Sequence, residues 1–281
     1  MLRKLFKYDF KYIAKYTIPA MIAALCAALA ATGILRIMMS YDFDKYGTIG
    51  NIAEITGGIL LFFCVLFIIL FNLIVTVIIL KRYYDNCFTD EGYLTFTLPT
   101  DSNTILVSKV LAGVLWSMIT GIIMIGCLAI LVLFGTSQSG VINHEITEFL
   151  SSGLKLMSEN PQNWLVAMEI LVMTIVSVFF SITVFYLAIT IGSIIAKKHK
   201  ILASIGIYYG INIILSILME IFMTIFAVST YSPIDYEYSV SISVYGTIHL
   251  TIGIFTLIFA GLAVGAYLIT RHLLSKKLNL S

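Results

Sequence analysis

Four polar side chains recur at every fourth residue of a long apolar stretch, at Asn212, Ser216, Glu220 and Thr224. Residues four apart on a helix drift by only about 40°, so these side chains would form one polar stripe. A carboxylate in such a stripe is typical of a pathway or gating helix, but the same stripe could be a hydrogen-bonded seam between two helices. Asn72 and Thr76 share a helical face in an earlier apolar stretch; they are weaker candidates for lining a pathway, with a packing contact as the alternative.

The chain contains no pattern that is typical of a catalytic or metal site. The four histidines are scattered, and the sequence has neither a His-Glu-x-x-His pair nor paired carboxylates on a common face. It also lacks the Gly-x4-Gly-Lys-Ser/Thr phosphate-binding loop. We therefore expect no catalytic residue, metal or cofactor on this chain, and we expect any ATP and Mg²⁺ to be bound by a partner.

The composition of the chain indicates a membrane protein. Hydrophobic residues make up 60% of the 281 residues, only 11% are charged, and the mean hydropathy is +1.01. One globular core could not bury that many apolar side chains. A net charge of +2 is too small to suggest a nucleic-acid partner. The four cysteines include no Cys-x-x-Cys pair and predict no disulfide.

Six apolar runs each exceed the ~20 residues that a helix needs to cross a bilayer. Their approximate bounds are 17–39, 55–80, 105–134, 164–196, 201–228 and 248–269. The sequence therefore predicts an all-α, polytopic membrane protein with six transmembrane helices in a single transmembrane domain, residues 1–281. A cleavable signal peptide is the alternative for the first run, because Lys15 precedes small-residue sites near Ala28 and Ala30.

Residues 1–16 predict an amphipathic helix at the membrane interface. One helical face carries Lys4, Lys7, Lys11 and Lys15. The opposite face is aliphatic and aromatic, apart from Asp9. Lysine side chains can reach anionic head groups while the apolar face enters the lipid bilayer. A basic flank that only sets the topology is the alternative interpretation.

The distribution of Lys and Arg predicts the orientation. With six spans, one side of the membrane carries Arg3, Lys4, Lys7, Lys11, Lys15, Lys81, Arg82, Lys109, Lys197, Lys198, Lys200, Arg271, Lys276 and Lys277. The other side carries only Arg36, Lys45 and Lys155. Because basic residues concentrate on the cytoplasmic side, both termini are expected in the cytoplasm.

Residues 81–104 form a polar cytoplasmic loop in this topology and are the natural contact for a soluble partner. Within the loop, Glu91-Gly92-Tyr93-Leu94 is followed by Leu98-Pro99, and Ile105-Leu106 and Lys109 come at the entry of the third span. This order resembles the cytoplasmic loop of ABC-2-type permeases, the membrane subunits of one class of ATP-driven exporters, in a version similar to that of a Gram-positive subgroup. Three positions differ from the usual pattern of that family. Tyr93 stands in place of threonine, and Ser108 replaces the glycine before Lys109. Leu98 directly precedes Pro99, whereas two residues usually separate this leucine from the proline.

The resemblance implies roles for particular residues. Residues 1–16 would be the elbow helix. The element that couples the permease to an ATPase would consist of Asp90, Glu91, Gly92, Tyr93, Leu94, Phe96, Leu98 and Pro99. The family also places the second and fifth spans along the substrate path, which favours the pathway interpretation of the polar stripe.

The resemblance also implies partners and a function. The partners would be a cytoplasmic ABC ATPase subunit and a second permease copy, identical or different, within the lipid bilayer. The function would be outward transport of a hydrophobic or amphipathic substrate, such as a lipid, a drug or an antimicrobial peptide, across a bacterial plasma membrane. A stand-alone secondary transporter or channel, with Glu220 as an ion relay, and a non-transporting membrane scaffold are the alternatives.

Overall fold

The computed structural model describes residues 1–89, 91–92, 101–135, 147–148, 151–155, 157–158, 160–196, 198–231 and 244–276. Six long helices account for most of them: α1 (Leu2–Ser40), α2 (Gly47–Phe88), α3 (Ser102–Gly135), α4 (Pro161–Ile195), α5 (Lys200–Tyr231) and α6 (Val244–Lys276). A short 3₁₀ turn, Phe43–Tyr46, separates α1 from α2. No residue within these ranges lies in a strand. The predicted all-α fold is therefore confirmed.

All six helices are long and apolar enough to cross a membrane. The chain is thus a multi-pass membrane protein. The helices extend beyond the predicted spans; α2, for example, continues to Phe88, and α3 already begins at Ser102, so both enter the predicted loop 81–104. Hydropathy reports the length of chain that can lie in hydrocarbon, whereas a helix can continue into water with a polar surface.

The predicted elbow helix is continuous with the first span. Residues 2–16 and the residues that follow form one helix, Leu2–Ser40, with Pro19 inside it. A proline removes one backbone N–H, but the helix continues on both sides of it. The four lysines of residues 1–16 are exposed, whereas Asp9 and Ile13 on the other face are buried by the protein itself.

Local signals explain several helix ends. Asn160 caps α4, because its Oδ1 accepts a hydrogen bond from the Gln162 N–H at 3.1 Å, and Pro161 occupies the first helical position. Gly47 begins α2 with a φ of 56°, a left-handed conformation that glycine adopts without a steric cost. Gly50 is also required, since a Cβ there would collide with the Phe43 carbonyl oxygen.

The chain divides into two compact units. The first unit, Met1–Arg82 with Leu111–Trp164, contains α1, most of α2 and most of α3. Its core cluster contains Ala28, Ile68 and Cys127, one residue from each helix. Phe10 of α1 stacks on Trp116 of α3 with ring centroids 4.9 Å apart, and Arg36 Nε donates to the Phe134 carbonyl at 2.9 Å. Helices α1 and α3 therefore pack side by side in the same direction.

The second unit is Tyr83–Val110 with Leu165–Ser281. Its core cluster contains Val184, Leu187 and Ala266. Helices α4 and α5 cross closely where Gly192 meets Ser204, because a Cβ on Gly192 would lie 2.6 Å from the Ser204 backbone nitrogen. The rings of Phe185 and Tyr208 stack nearby at 4.1 Å. The second unit therefore holds the end of α2 and the start of α3 together with α4, α5 and α6.

Candidate functional site

Most of the predicted ATPase-coupling element lies outside the described residues. This applies to Asp90, Tyr93, Leu94, Phe96, Leu98 and Pro99. Glu91 is described and exposed, while Gly92 is buried. The Gly92 N–H donates to the Thr89 carbonyl at 2.7 Å, and a Cβ on Gly92 would lie 2.9 Å from the Cys87 carbonyl oxygen. The glycine in Glu91-Gly92 thus allows the chain to fold back closely onto the end of α2.

The helix ends that flank this element are each attached to α4 by a buried hydrogen bond. The Tyr83 hydroxyl on α2 lies 2.8 Å from Thr190 Oγ1 on α4, and Thr190 Oγ1 donates its proton to the Tyr186 carbonyl at 2.7 Å. Because Thr190 has a single hydroxyl proton, Tyr83 must be the donor in the first bond. The Tyr186 hydroxyl then donates to the Lys109 carbonyl on α3 at 3.2 Å.

Ring packing reinforces this network. Tyr83 and Tyr186 stack with centroids 4.0 Å apart and an angle of 12° between their planes. Tyr83, Tyr186 and Thr190 are at most 2% exposed. The start of α3 has a second attachment, because the Tyr267 hydroxyl of α6 donates to Asn103 Oδ1. We call Tyr83, Asn103, Lys109, Tyr186, Thr190 and Tyr267 the loop-anchor cluster. It fixes both helices next to residues 89–101 to α4 and α6.

The polar stripe of α5 lies largely on the exposed surface of the chain. Asn212 is half-buried, and Ser216, Glu220 and Thr224 are exposed. The hydrogen bonds that their side chains donate end on carbonyls of α5 itself: Asn212 to Tyr208, Ser216 to Ile213 and Thr224 to Glu220. Within the described residues, no side chain contacts the Glu220 carboxylate by a hydrogen bond. The stripe is therefore not a seam with another described helix of the same chain.

The opposite face of α5 is apolar and also exposed. It carries Ile214, Leu218, Ile221 and Ile225, each more than half exposed. Hydrocarbon suits this face, whereas a carboxylate at a helix centre costs roughly 3 kcal/mol on insertion scales. Polar groups in transmembrane helices face protein or a water-filled cavity. The two faces of α5 therefore need different surroundings.

The two pathway candidates on α2 are half-buried and adjacent. Thr76 Oγ1 donates to the Asn72 carbonyl at 2.9 Å, one turn earlier. Both residues belong to the first unit, whereas the stripe on α5 belongs to the second. The structure thus brings Asn72 together with Thr76.

The structure also joins two residues that lie 80 positions apart in the sequence. His249 Nδ1 on α6 lies 2.8 Å from Glu169 Oε2 on α4, and both side chains are partly exposed. An ionised carboxylate only accepts hydrogen bonds, so His249 Nδ1 is the donor whenever Glu169 is ionised. Glu169 and His249 are both polar residues near the predicted outer ends of apolar helices, which is the one signal in the sequence that could have paired them.

The exception on the N-terminal amphipathic face, Asp9, also has a partner in the structure. Asp9 Oδ1 accepts a hydrogen bond from Arg82 Nε at 3.1 Å, with the two side chains 5% and 18% exposed. The Arg82 guanidinium also lies 4.1 Å from the centre of the Tyr12 ring, a cation–π contact. The isolated acid among lysines was the sequence signal for a contact of Asp9. The sequence did not identify the partner, which is 73 residues away.

In the ranges that the structure describes, no group of three or more His, Cys, Asp or Glu side chains could hold a metal ion. The candidate sites are therefore polar contacts between helices and exposed polar surfaces. No family model, curated protein or solved structure matches this chain.

Proposed function

We propose that this chain is the permease subunit of an ABC exporter of the ABC-2 type. The observation that carries the proposal is the exposed polar stripe of α5, with Glu220 on a helix whose other face suits lipid. In a bilayer, such a stripe requires water or a protein partner. A second permease copy that encloses a polar pathway with this stripe would supply both the water and the protein partner.

The loop-anchor cluster supports the coupling part of the proposal. An ATPase subunit that pushes on residues 81–104 acts first on the ends of α2 and α3. Tyr83 and Lys109, at these two ends, are bonded through Thr190 and Tyr186 to α4. Helices that are connected by buried packing and hydrogen bonds move together, so a displacement of the loop would displace several helices.

The remaining parts of the proposal follow from the resemblance and the charge distribution. The chain lies in a bacterial plasma membrane with both termini in the cytoplasm, and ATP and Mg²⁺ bind to the partner ATPase. The substrate is hydrophobic or amphipathic, such as a lipid, a drug or an antimicrobial peptide. The six helices are mainly apolar, and a narrow path between them suits such substrates better than sugars or ions.

The test is purification of the tagged chain from its native host in a mild detergent, with identification of bound proteins and assay of ATP hydrolysis. We expect an ATPase subunit to co-purify. Glu91→Ala and Pro99→Ala should reduce its retention, because both alter the proposed contact. Gly92→Ala should act similarly, since the new Cβ would meet the Cys87 backbone.

Glu148→Ala is the matched control, because it removes one exposed acid from the opposite predicted side of the membrane. It should leave ATPase retention unchanged. If the wild-type chain is isolated without any ATPase, under conditions that preserve known ABC complexes, the proposed function is wrong.

A proton-coupled secondary transporter is the second candidate, and the Glu169–His249 contact is the observation that favours it. Two titratable side chains in contact near the ends of transmembrane helices can exchange a proton. Transport by the purified chain alone in vesicles, driven by a pH gradient and without ATP, would establish this function instead.

A further inference from the structure

An open groove of about 670 Å³ lies along α1 beside the end of α2. Its walls include Lys11, Lys15 and Arg82, and its polar rim includes Tyr8 and Tyr12. None of the described residues that line it is acidic, and Asp9 contacts the Arg82 side chain. Three cations and one carboxylate leave the groove with a net positive charge.

The position of Arg82 is fixed before any ligand arrives. Asp9 holds its Nε from one side, and the Tyr12 ring lies 4.1 Å from the guanidinium carbon. The Arg82 guanidinium keeps its positive charge while it contacts Asp9 and Tyr12, so it still attracts an anion. The lysines are exposed and can move toward a ligand. The chemistry of this arrangement suits a phosphate ester.

The groove also has apolar walls, and exposed apolar side chains continue beyond it along the same face of α1. Ile18 and Pro19 belong to its wall. On a helical wheel, Lys11, Ile18, Ile22, Leu25 and Leu29 fall within an arc of about 60°. The last four of these residues are between 39% and 61% exposed. An apolar track thus leads away from the basic end of the groove along the same face of α1.

We propose that this groove is a binding site for an anionic phospholipid. The phosphodiester binds near Lys11, Lys15 and Arg82, and an acyl chain lies along Ile18, Ile22 and Leu29. The combination of a basic head site and a continuous apolar track distinguishes a lipid from a soluble phosphate compound. Basic pockets beside transmembrane helices bind lipid head groups in this manner. The site does not depend on whether the chain is an ABC permease.

The test is native mass spectrometry of the full chain after exchange into micelles doped with phosphatidylglycerol or phosphatidylcholine. Wild-type protein should retain phosphatidylglycerol preferentially. The double variant Lys11→Gln/Lys15→Gln should lose about 30-fold in affinity for phosphatidylglycerol, since each basic residue near an anionic head group contributes several-fold. Lys4→Gln/Lys7→Gln removes the same charge from the same helix outside the groove and should retain binding.

Three results would overturn the proposal. One is equal retention of the two lipids by wild-type protein, a comparison that holds even if a variant does not fold. Another is equal loss of phosphatidylglycerol in the two double variants, which would indicate general interfacial attraction. The third is full displacement by glycerophosphoglycerol, the soluble head group without acyl chains, which would indicate a site for a soluble phosphate ester.

Discussion

The Tyr83 hydroxyl lies 2.8 Å from the Thr190 hydroxyl and attaches the end of α2 to α4 in a fully buried contact. The Thr190 hydroxyl donates a hydrogen bond to the Tyr186 carbonyl, and the Tyr186 hydroxyl donates to the Lys109 carbonyl on α3. Two buried hydrogen bonds therefore connect α4 to α2 and to α3. The energy of such a contact is best measured by a double-mutant cycle.

Tyr83→Phe should lower the free energy of unfolding by only about 0.6 to 1 kcal/mol. The ring stack on Tyr186 is retained, and Thr190 keeps its bond to the Tyr186 carbonyl, so no buried donor loses its acceptor. Thermal unfolding in detergent, followed in a cycle with Thr190→Val, measures the coupling. If the ATPase co-purifies, Tyr83→Phe should also weaken the stimulation of ATP hydrolysis by substrate.

Tyr84→Phe is the control for this network. Tyr84 is the next residue on α2 and is only half-buried, and its ring contacts Phe88 rather than Tyr186. It should change neither stability nor coupling. A coupling energy of zero between Tyr83 and Thr190 would contradict the hydrogen bond between their hydroxyl groups.

Arg82→Gln should destabilise the first unit by about 3 kcal/mol, because it leaves the buried Asp9 carboxylate without its guanidinium partner. The double variant Asp9→Asn/Arg82→Gln should recover part of this loss, since two neutral side chains can pair by hydrogen bonds. Lys81→Gln, one residue earlier and exposed, should have little effect. Equal thermal stability of Arg82→Gln and Lys81→Gln would contradict the observed pair.

Gly192→Ala should destabilise the second unit by about 1 to 3 kcal/mol, because a Cβ would lie 2.6 Å from the Ser204 backbone. Adding Ser204→Gly to Gly192→Ala should restore only part of the lost stability, since the contact of the new Cβ with the backbone of residue 204 remains. Gly210→Ala is the matched control on α5, where a Cβ would meet nothing within 4 Å. Thermal unfolding of the variants measures these losses of stability. Similar losses for Gly192→Ala and Gly210→Ala would exclude the close crossing of α4 and α5.

The number and type of helices could be predicted because the length of an apolar run directly reflects the thickness of hydrocarbon. The ends of the helices could not be predicted in this way. Residues 81–88 include Lys81, Arg82 and Asp85 and are still helical. A hydropathy profile does not detect helix that continues beyond the apolar run. The predicted loop 81–104 therefore contains helical residues at both of its ends, since α2 continues to Phe88 and α3 begins at Ser102.

The close helix contact was also hidden from the sequence. The glycine pairs Gly206/Gly210 and Gly261/Gly265 have the spacing of a packing motif, yet a Cβ on any of them would contact nothing within 4 Å. Gly192 has no second glycine four residues away, yet among the described glycines it makes the closest approach to another long helix. Sequence spacing describes one helix surface, whereas contact depends on which neighbour crosses it. The same reason kept the partners of Asp9 and Glu169 from being predicted.

His249→Leu should lower stability by roughly 0.5 to 1 kcal/mol, since the lost contact with Glu169 is partly exposed. His249→Asn should retain most of the stability, because an Asn side-chain amide can donate from a position close to that of Nδ1. Neither substitution carries a titrating imidazole. If the chain is a proton-coupled transporter, His249→Asn should abolish transport driven by a pH gradient while leaving the fold intact. Equal destabilisation by Asn and Leu would show that the contact is not a hydrogen bond.

The two faces of α5 should differ in their access to water. In a variant without the four free cysteines, Ser216→Cys and Thr224→Cys should react with a water-soluble maleimide at least about tenfold faster than Ile214→Cys and Ile221→Cys. All four positions are exposed in the isolated chain, so a difference must come from the membrane or from a partner. Thiolates form in water and not in hydrocarbon, which is why the rate reports the surroundings. Slow reaction on both faces would mean that protein covers the stripe, and Glu220 would then belong to a protein–protein contact without a water-filled pathway.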